Sequence, residues 1–335
     1  MKIQNTQAPI IFLMGPTASG KTALAIELYQ QGVDKKEVEK SASRPTGFEI
    51  ISVDSAMVYT QMDIGSAKPS EQELRFAPHH LIDFIDPKKS YSSSRFCTDA
   101  ICLINDIHQR GNIPLLVGGT MLYFKALKDG LSDLPATDET IRQQVKEQLD
   151  KNGIESLHQQ LAKIDPQTAE RLHINDRQRI TRAVEVYQMT GKPLSVWHAE
   201  QKKQALINPL LSIALAPQNR KILHQRIELR FEQMIEAGFL DEVASLYKRG
   251  DLNLDCASMR SVGYRQIWQY MDGELSLSEA KERAIIATRQ LAKRQYTWLR
   301  SWPEALWFDP TDEKELADCQ RVIKGFVSTE YNCFD

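Results

Sequence analysis

Ile10-Ile11-Phe12-Leu13-Met14-Gly15-Pro16-Thr17-Ala18-Ser19-Gly20-Lys21-Thr22 reads as an apolar strand, a turn-rich loop and the opening of a helix. The last eight residues fit the spacing G-x-x-x-x-G-K-[ST] of a phosphate-binding loop, and the strand before them supplies the context that this motif requires. Glycines let the backbone curl so that its N–H groups point inward, and Ala23 to Tyr29 continues as a helix whose positive N-terminal end faces the anion. Lys21 adds a mobile charge and Thr22 a hydroxyl for Mg²⁺. Gly15, Pro16, Thr17, Ala18, Ser19, Gly20, Lys21 and Thr22 are therefore the candidate ligands of a polyphosphate. The loop alone leaves open which phosphate compound is held and which reaction follows.

The rest of the chain sets bounds on that chemistry. With 335 residues, 42% hydrophobic and 26% charged, it suits a globular protein with one large domain or a core and a satellite. No basic leader, long apolar run or small-residue cleavage site precedes the first strand, so a cytoplasmic protein without a membrane partner is expected. A monomer is the expected state. Cys97, Cys102, Cys256, Cys319 and Cys333 are odd in number and form no C-x-x-C pair, which argues against a zinc site or a disulfide framework.

A net charge of −2 excludes general cationic attraction to nucleic acid and leaves local patches. Arg177, Arg179 and Arg182 cluster, Arg260 and Arg265 flank Val262-Gly263-Tyr264, and Lys281, Arg283, Arg289, Lys293, Arg294 and Arg300 gather near the C-terminal end. Arg289, Lys293, Tyr296 and Arg300 fall at helical spacing, which predicts three cations and an aromatic on one face. A solvated helix face is the competing reading.

Apolar runs at Ile10 to Met14, Glu49 to Val53 and Ile113 to Val117, separated by helical stretches such as Tyr91 to Arg110, predict a doubly wound parallel α/β core. The expected division is 1–130 for the first part of the core, 131–205 for a mainly helical insertion and 206–325 for the second part. Leu131 to Lys203 is polar and helix-rich, with Pro135, Asp138 and Asp165-Pro166 as start signals and Gly191-Lys192-Pro193 as a stop. Leu210 to Leu215 returns to the sheet, followed by helices over Arg220 to Arg249 and Ser276 to Arg300. Val33 to Gly47 lacks a period and reads as a mobile surface excursion.

Asp54 ends the apolar strand Ile50-Ile51-Ser52-Val53, at the edge where α/β sheets bind ligands, and should lie near Thr22. Mg²⁺ ligation, general base catalysis and capping of a strand-to-loop turn all remain open for it.

Several further motifs follow in order. Asp54-Ser55-Ala56-Met57-Val58-Tyr59, Asp63-Ile64-Gly65-Ser66-Ala67-Lys68-Pro69, His79-His80-Leu81-Ile82-Asp83 and Val117-Gly118-Gly119-Thr120-Met121-Leu122-Tyr123 occupy the first half. Gln178-Arg179-Ile180-Thr181-Arg182, Arg226-Ile227-Glu228-Leu229-Arg230-Phe231, Arg260-Ser261-Val262-Gly263-Tyr264-Arg265 and Lys293-Arg294-Gln295-Tyr296-Thr297-Trp298-Leu299-Arg300 occupy the second. Together with Gly15 to Thr22, they make the chain resemble the tRNA dimethylallyltransferases over nearly its whole length.

That resemblance implies a nucleoside-triphosphatase-like phosphate-loop core that holds diphosphate, and transfer of a dimethylallyl group from dimethylallyl diphosphate to N6 of the adenosine just 3′ of a tRNA anticodon. It implies Mg²⁺, with Lys21 and Thr22 stabilising the leaving group. Asp54 is the expected base, with Thr120 and Arg230 near the reacting groups, although Arg226 is an alternative to Arg230. The implied tRNA contacts are Asp54, Ser55, Ala56, Met57, Thr120, Arg142, Gln178, Arg179, Ile180, Thr181, Arg182, the run Arg260, Ser261, Val262, Gly263, Tyr264 and Arg265, and the run Lys293, Arg294, Gln295, Tyr296, Thr297, Trp298, Leu299 and Arg300. The helical insertion is expected to meet the anticodon stem. For His79 and His80 structural hydrogen bonding is favoured over substrate contact.

The chain departs from the family pattern in the length of Val33 to Gly47 and in Met57, where many relatives carry glutamine. It ends without a Cys/His zinc-finger tail, as the bacterial form does. A small-molecule or nucleotide kinase and a free adenylate prenyltransferase are the rivals; a GTP switch is disfavoured because no Asn-Lys-x-Asp sequence occurs.

Overall fold

The structure, a computed structural model, describes residues 3–4, 8–38, 47–130, 134, 138–200 and 206–332. Its contacts divide the chain into one unit made of Met1–Lys128 with Leu206–Asp335, and a second made of Asp129–Ala205.

In chain order, the first unit begins with β1 (Ile10–Met14), α1 (Lys21–Val38), β2 (Phe48–Val53), α2 (Glu71–Phe76), β3 (His79–His80), α3 (Ser93–Gln109), β4 (Ile113–Gly118) and α4 (Met121–Asp129). The second unit holds α5 (Glu139–Ile164), α6 (Pro166–Arg171), α7 (Arg177–Thr190) and α8 (Leu194–Glu200). The first unit then resumes with β5 (Leu210–Leu215), α9 (Arg220–Glu236), α10 (Phe239–Lys248), α11 (Tyr264–Met271), α12 (Leu277–Arg300), β6 (Leu306–Phe308) and α13 (Glu313–Asn332).

The six strands form one sheet in the order β3-β2-β4-β1-β5-β6, and every pairing is parallel. β1 and β4 are buried along their whole length, as a sheet covered on both faces requires. Successive residues of β1 point to opposite sides. Ile11 and Leu13 join Leu24 and Leu28 of α1 and Ile323 of α13 in one apolar layer. Phe12 meets Phe124 of α4 at a ring separation of 4.9 Å and Trp302 at 6.3 Å. Alternation along a single strand thus fixes which helices cover which face.

The second unit is built around Val145, Leu157, Leu161, Ala169, Ile180, Ala183 and Val184. Asp138 caps α5 by accepting the N–H groups of Thr140 and Ile141. A kink at Gly153, where φ is 76°, divides that helix. Asp165 accepts from the N–H and hydroxyl of Thr168 and from the N–H of Ser195, so one carboxylate caps α6 and ties in α8. Pro135 lies outside the described residues.

Four sequence expectations change. The helix expected over Arg220 to Arg249 is two helices, parted at Gly238 with φ 99°. The stop at Gly191, with φ 68°, ends α7, yet a new helix starts at Leu194. Val33–Val38, expected to open an irregular excursion, extend α1, because Lys35, Lys36 and Glu37 are good helix formers; residues 39–46 lie outside the described residues. The short strands β3 and β6 are additions at the two edges of the sheet.

Among the described residues Cys97, Cys102, Cys256 and Cys319 form no disulfide, and Cys333 lies outside the described residues. Among the described residues no helix is long and apolar enough to cross a membrane.

Candidate active site

The C-terminal ends of three strands lie side by side: Gly118 of β4 pairs with Met14 of β1 on one side and with Val53 of β2 on the other. Three loops therefore leave the sheet together, carrying Gly15 to Gly20, Asp54 to Met57, and Gly119-Thr120. Gly118 must be glycine, since an added Cβ would lie 2.0 Å from the Val53 carbonyl oxygen.

The first loop curls through left-handed backbone at Ala18 (φ 61°) and Gly20 (φ 92°) before α1 begins at Lys21. Lys21 Nζ folds back over it, donating to the Pro16 carbonyl at 2.6 Å and to Ser19 Oγ at 3.4 Å. Burial pushes the Lys21 ammonium down to about 7; the Asp54 carboxylate opposes that shift and the Arg230 guanidinium adds to it. Burial likewise lowers the pKa of Arg230, against the pull of Asp54. Two cations and one carboxylate thus share one desolvated region, an arrangement short of negative charge and suited to an anionic ligand.

Asp54 Oδ1 accepts from the N–H groups of Ala56 at 2.7 Å and Met57 at 3.2 Å, so the turn-capping role is realised. Both bonds fall on that oxygen, and the carboxylate still lines the cavity that holds Lys21 and Arg230. Thr120 Oγ1 accepts from the Ser55 N–H at 3.1 Å, and the Thr120 N–H donates to Val53 at 3.2 Å, locking the second and third loops together. Arg230 Nη2 donates to the Ala67 carbonyl at 3.3 Å.

These groups line a cavity of about 870 Å³. Its polar lining includes Thr17 to Thr22, Asp54, Ser55, Thr120, Arg226, Arg230, Arg260 and Arg294. Its apolar lining includes Met57, Met121, Leu122, Leu229, Met234, Val262, Leu291 and Trp298. Arg226 and Arg230 both reach it, but the two differ in surroundings. Arg230 interacts with Asp54 and Arg226 with Asp309, so Arg230 is the arginine beside the carboxylate.

The remaining predicted residues divide between the cavity lining, the buried core and the exposed surface. Ile180 sits in the core of the second unit; Tyr264 and Leu299 are likewise fully buried, and none of the three offers a surface to RNA. Tyr264 donates its hydroxyl to Glu242 at 2.6 Å. Tyr296, expected beside Lys293 and Arg300 on an exposed face, turns inward: its hydroxyl donates to the Pro217 carbonyl at 2.6 Å and its ring packs with Leu223, Ile227 and Ala292. Arg289 pairs with Glu228 at 2.7 Å. Gln295 is also buried, with both amide ends engaged by backbone. Lys293, Arg294, Thr297, Arg300, Arg260 and Arg265 are exposed, Trp298 and Ser261 are half-buried, and Gly263 is buried.

In the second unit, Gln178 and Arg179 are exposed and Thr181 and Arg182 half-buried on α7. Arg179 pairs with Asp176 at 3.2 Å, Arg182 with Glu185 at 3.5 Å and Arg142 with Glu139 at 3.6 Å. His79 Nδ1–H donates to the Ala77 carbonyl at 2.7 Å, and His80 Nε2 meets Glu49 at 3.1 Å. Burial lowers the His79 pKa.

The sequence reading missed Glu242. Its carboxylate accepts the N–H groups of Asp63 at 2.8 Å, Ile64 at 2.7 Å and Gly65 at 3.1 Å, besides the Tyr264 hydroxyl. It anchors the loop whose Ala67 carbonyl receives Arg230. The three backbone partners are more than 170 positions away in the chain, and no local pattern announces them.

Among the described residues no cluster of three or more His, Cys, Asp or Glu side chains is arranged to hold a metal ion. The Thr22 hydroxyl and the Asp54 carboxylate face the same cavity. That sparse, all-oxygen donor set fits Mg²⁺, which keeps several waters and takes phosphate oxygens from its substrate.

Comparison with known proteins places the chain in context. The family model described as IPP transferase matches residues 57–302. The tRNA dimethylallyltransferase of Coxiella burnetii (strain Dugway 5J108-111) is 50% identical over 316 residues, covering 94% of this chain and 97% of that protein. Among solved structures, the full-length tRNA isopentenylpyrophosphate transferase from Bacillus halodurans is 35% identical, with a TM-score of 0.66 and coverage of 98% of this chain and 99% of that one. A eukaryotic dimethylallyltransferase caught acting on tRNA superposes with a TM-score of 0.79 at 29% identity, covering 96% of this chain and 80% of that one.

Proposed function

The chain belongs to the IPP transferase family, and from that membership we propose that it transfers a dimethylallyl group from dimethylallyl diphosphate to the exocyclic N6 of the adenosine immediately 3′ of a tRNA anticodon. The products are N6-(dimethylallyl)adenosine and diphosphate. The observation that carries the assignment of roles is the grouping of Lys21, Asp54 and Arg230 in one cavity that apolar side chains also line.

In this reading the loop N–H groups and Lys21 hold the diphosphate, Arg230 neutralises its growing charge, and the apolar lining at Met121, Leu122 and Leu229 receives the hydrocarbon tail. The allylic C–O bond breaks with its electron pair leaving on diphosphate, and a bond forms from N6 to the freed carbon. An adenine amine is a weak nucleophile, because its lone pair is delocalised into the ring. Asp54 orients it and accepts the N6 proton as charge develops. Mg²⁺, held by the Thr22 hydroxyl with the diphosphate oxygens, would supply further charge neutralisation to the leaving group.

We assign tRNA contacts to the exposed cations Arg179, Arg260, Arg265, Lys293, Arg294 and Arg300 and to half-buried Arg182. The target base must leave its stack, at a cost of a few kcal/mol that an anticodon loop reduces because its bases are already partly splayed. The protein is proposed to act as a cytoplasmic monomer.

The test is a pair of tRNA transcripts differing only in the target nucleoside. Prenyl incorporation into the adenosine transcript and none into its guanosine counterpart is the expected result. Equal incorporation into both would remove the assignment of N6 as the acceptor.

A further inference from the structure

Gln295 lies on α12 amid the exposed Lys293, Arg294 and Thr297, yet is only 8% exposed itself. Its Oε1 accepts the Thr17 N–H of the phosphate-binding loop at 2.9 Å, and its Nε2 donates to the Gly119 carbonyl, also at 2.9 Å. Three separate segments meet here. A Cβ added to Gly119 would lie 2.3 Å from Gln295 Nε2 and 3.2 Å from the Gly15 carbonyl oxygen, so the two loops and the helix are already at closest approach.

A neutral side chain with both an acceptor and a donor suits this position. It must offer one acceptor toward Thr17 and one donor toward Gly119; a carboxylate would oppose the Gly119 carbonyl, and an ammonium would have nothing to accept the Thr17 N–H. Gly119 precedes Thr120, whose hydroxyl holds the Ser55 N–H next to Asp54. The amide therefore joins the loop expected to grip diphosphate to the loops expected to present the base, and both ends are used up in doing so.

We propose that Gln295 is a positioning residue for the prenyl donor, fixing the phosphate-binding loop against the β4 turn, and that it is not a contact to RNA. This rests on the functional reading above. Removing either hydrogen bond strands a buried backbone group and loosens the loop, so the effect should fall on donor binding.

The experiment compares the full-length chain with Gln295→Met and Gln295→Glu, measuring dimethylallyl diphosphate affinity by calorimetry, KM and kcat, and tRNA affinity by gel shift. The Met variant strands both the Thr17 N–H and the Gly119 carbonyl and is expected to raise donor Kd and KM by at least about tenfold, with tRNA Kd unchanged. The Glu variant keeps the acceptor for Thr17, and its protonated form regains the donor. Its donor affinity should therefore recover toward the parent value as pH falls. A variant that loses tRNA affinity while binding donor normally, or a Glu variant showing no recovery on acidification, overturns the proposal. Failure of the unaltered chain to bind dimethylallyl diphosphate would instead overturn the functional reading, and would be seen before any variant is measured.

Discussion

Replacing Asp54 by asparagine separates the turn-capping role that the structure shows from the base role proposed for the same carboxylate. Oδ1 accepts the Ala56 and Met57 N–H groups at 2.7 and 3.2 Å, and the asparagine oxygen can keep both bonds. The turn survives while the base is lost. A positioned general base contributes about 10²- to 10⁴-fold, or about 2.7 to 5.4 kcal/mol of barrier, so turnover should fall within that range. Asp54→Ala removes the turn bonds as well, lowering stability by about 1 to 2 kcal/mol for two ordinary hydrogen bonds on top of the same catalytic loss. Asp54 also holds up the Lys21 pKa, so its removal leaves Lys21 more often neutral in the free chain. Single-turnover measurement at saturating donor and tRNA, below neutral pH where Lys21 stays charged, isolates the chemical step. If Asp54→Asn turns over at nearly the parent rate while Asp54→Ala does not, Asp54 is a cap and the base lies elsewhere.

Lys21 titrates near neutrality in the free chain, and a bound diphosphate favours its charged form; its contribution to donor affinity is thus complete below about pH 7 and is lost as pH rises through the higher pKa of the complex. Calorimetric donor Kd should increase above neutrality, and a flat profile would contradict this. Each Glu242 oxygen accepts two of the four hydrogen bonds from Asp63, Ile64, Gly65 and Tyr264, so Glu242→Gln sets an amide nitrogen against two of them; urea unfolding should show a loss of about 1 to 3 kcal/mol, and donor KM should rise as the loop that carries Ala67 shifts away from Arg230. An unchanged midpoint would refute the anchoring role. Replacing Arg179 and Arg182 together by alanine should reduce the salt dependence of tRNA affinity by about 1.5 in logarithmic slope, as the loss of two phosphate contacts requires, whereas an unaltered slope would leave them only their pairs with Asp176 and the buried Glu185.

Local chemistry was legible in the sequence wherever it is written over a few adjacent residues. The run Ile10 to Thr22 shows its strand, loop and helix directly, and Asp138 and Asp165 mark helix starts because a short side-chain oxygen satisfies N–H groups two or three residues on. The facing of α12 was misjudged for a definable reason. Ala292, Gln295, Tyr296 and Leu299 follow the three-and-four spacing of a buried stripe, and Tyr296 belongs to that stripe and not to the Lys293 and Arg300 face. A motif read as one continuous RNA contact therefore splits into an exposed basic side and an inward side that braces the phosphate-binding loop. Glu242 was hidden for another reason: its importance lies in three backbone N–H groups far along the chain, which become its partners only after folding.

In the proposed reaction the cradle at Gly15 to Thr22 grips diphosphate as it departs from an allylic carbon, and a base in tRNA captures that carbon. Labelled dimethylallyl diphosphate offered in parallel to tRNA, AMP and ATP tests it most directly. Label recovered in tRNA alone is the predicted result; label in AMP or ATP with none in tRNA would contradict it.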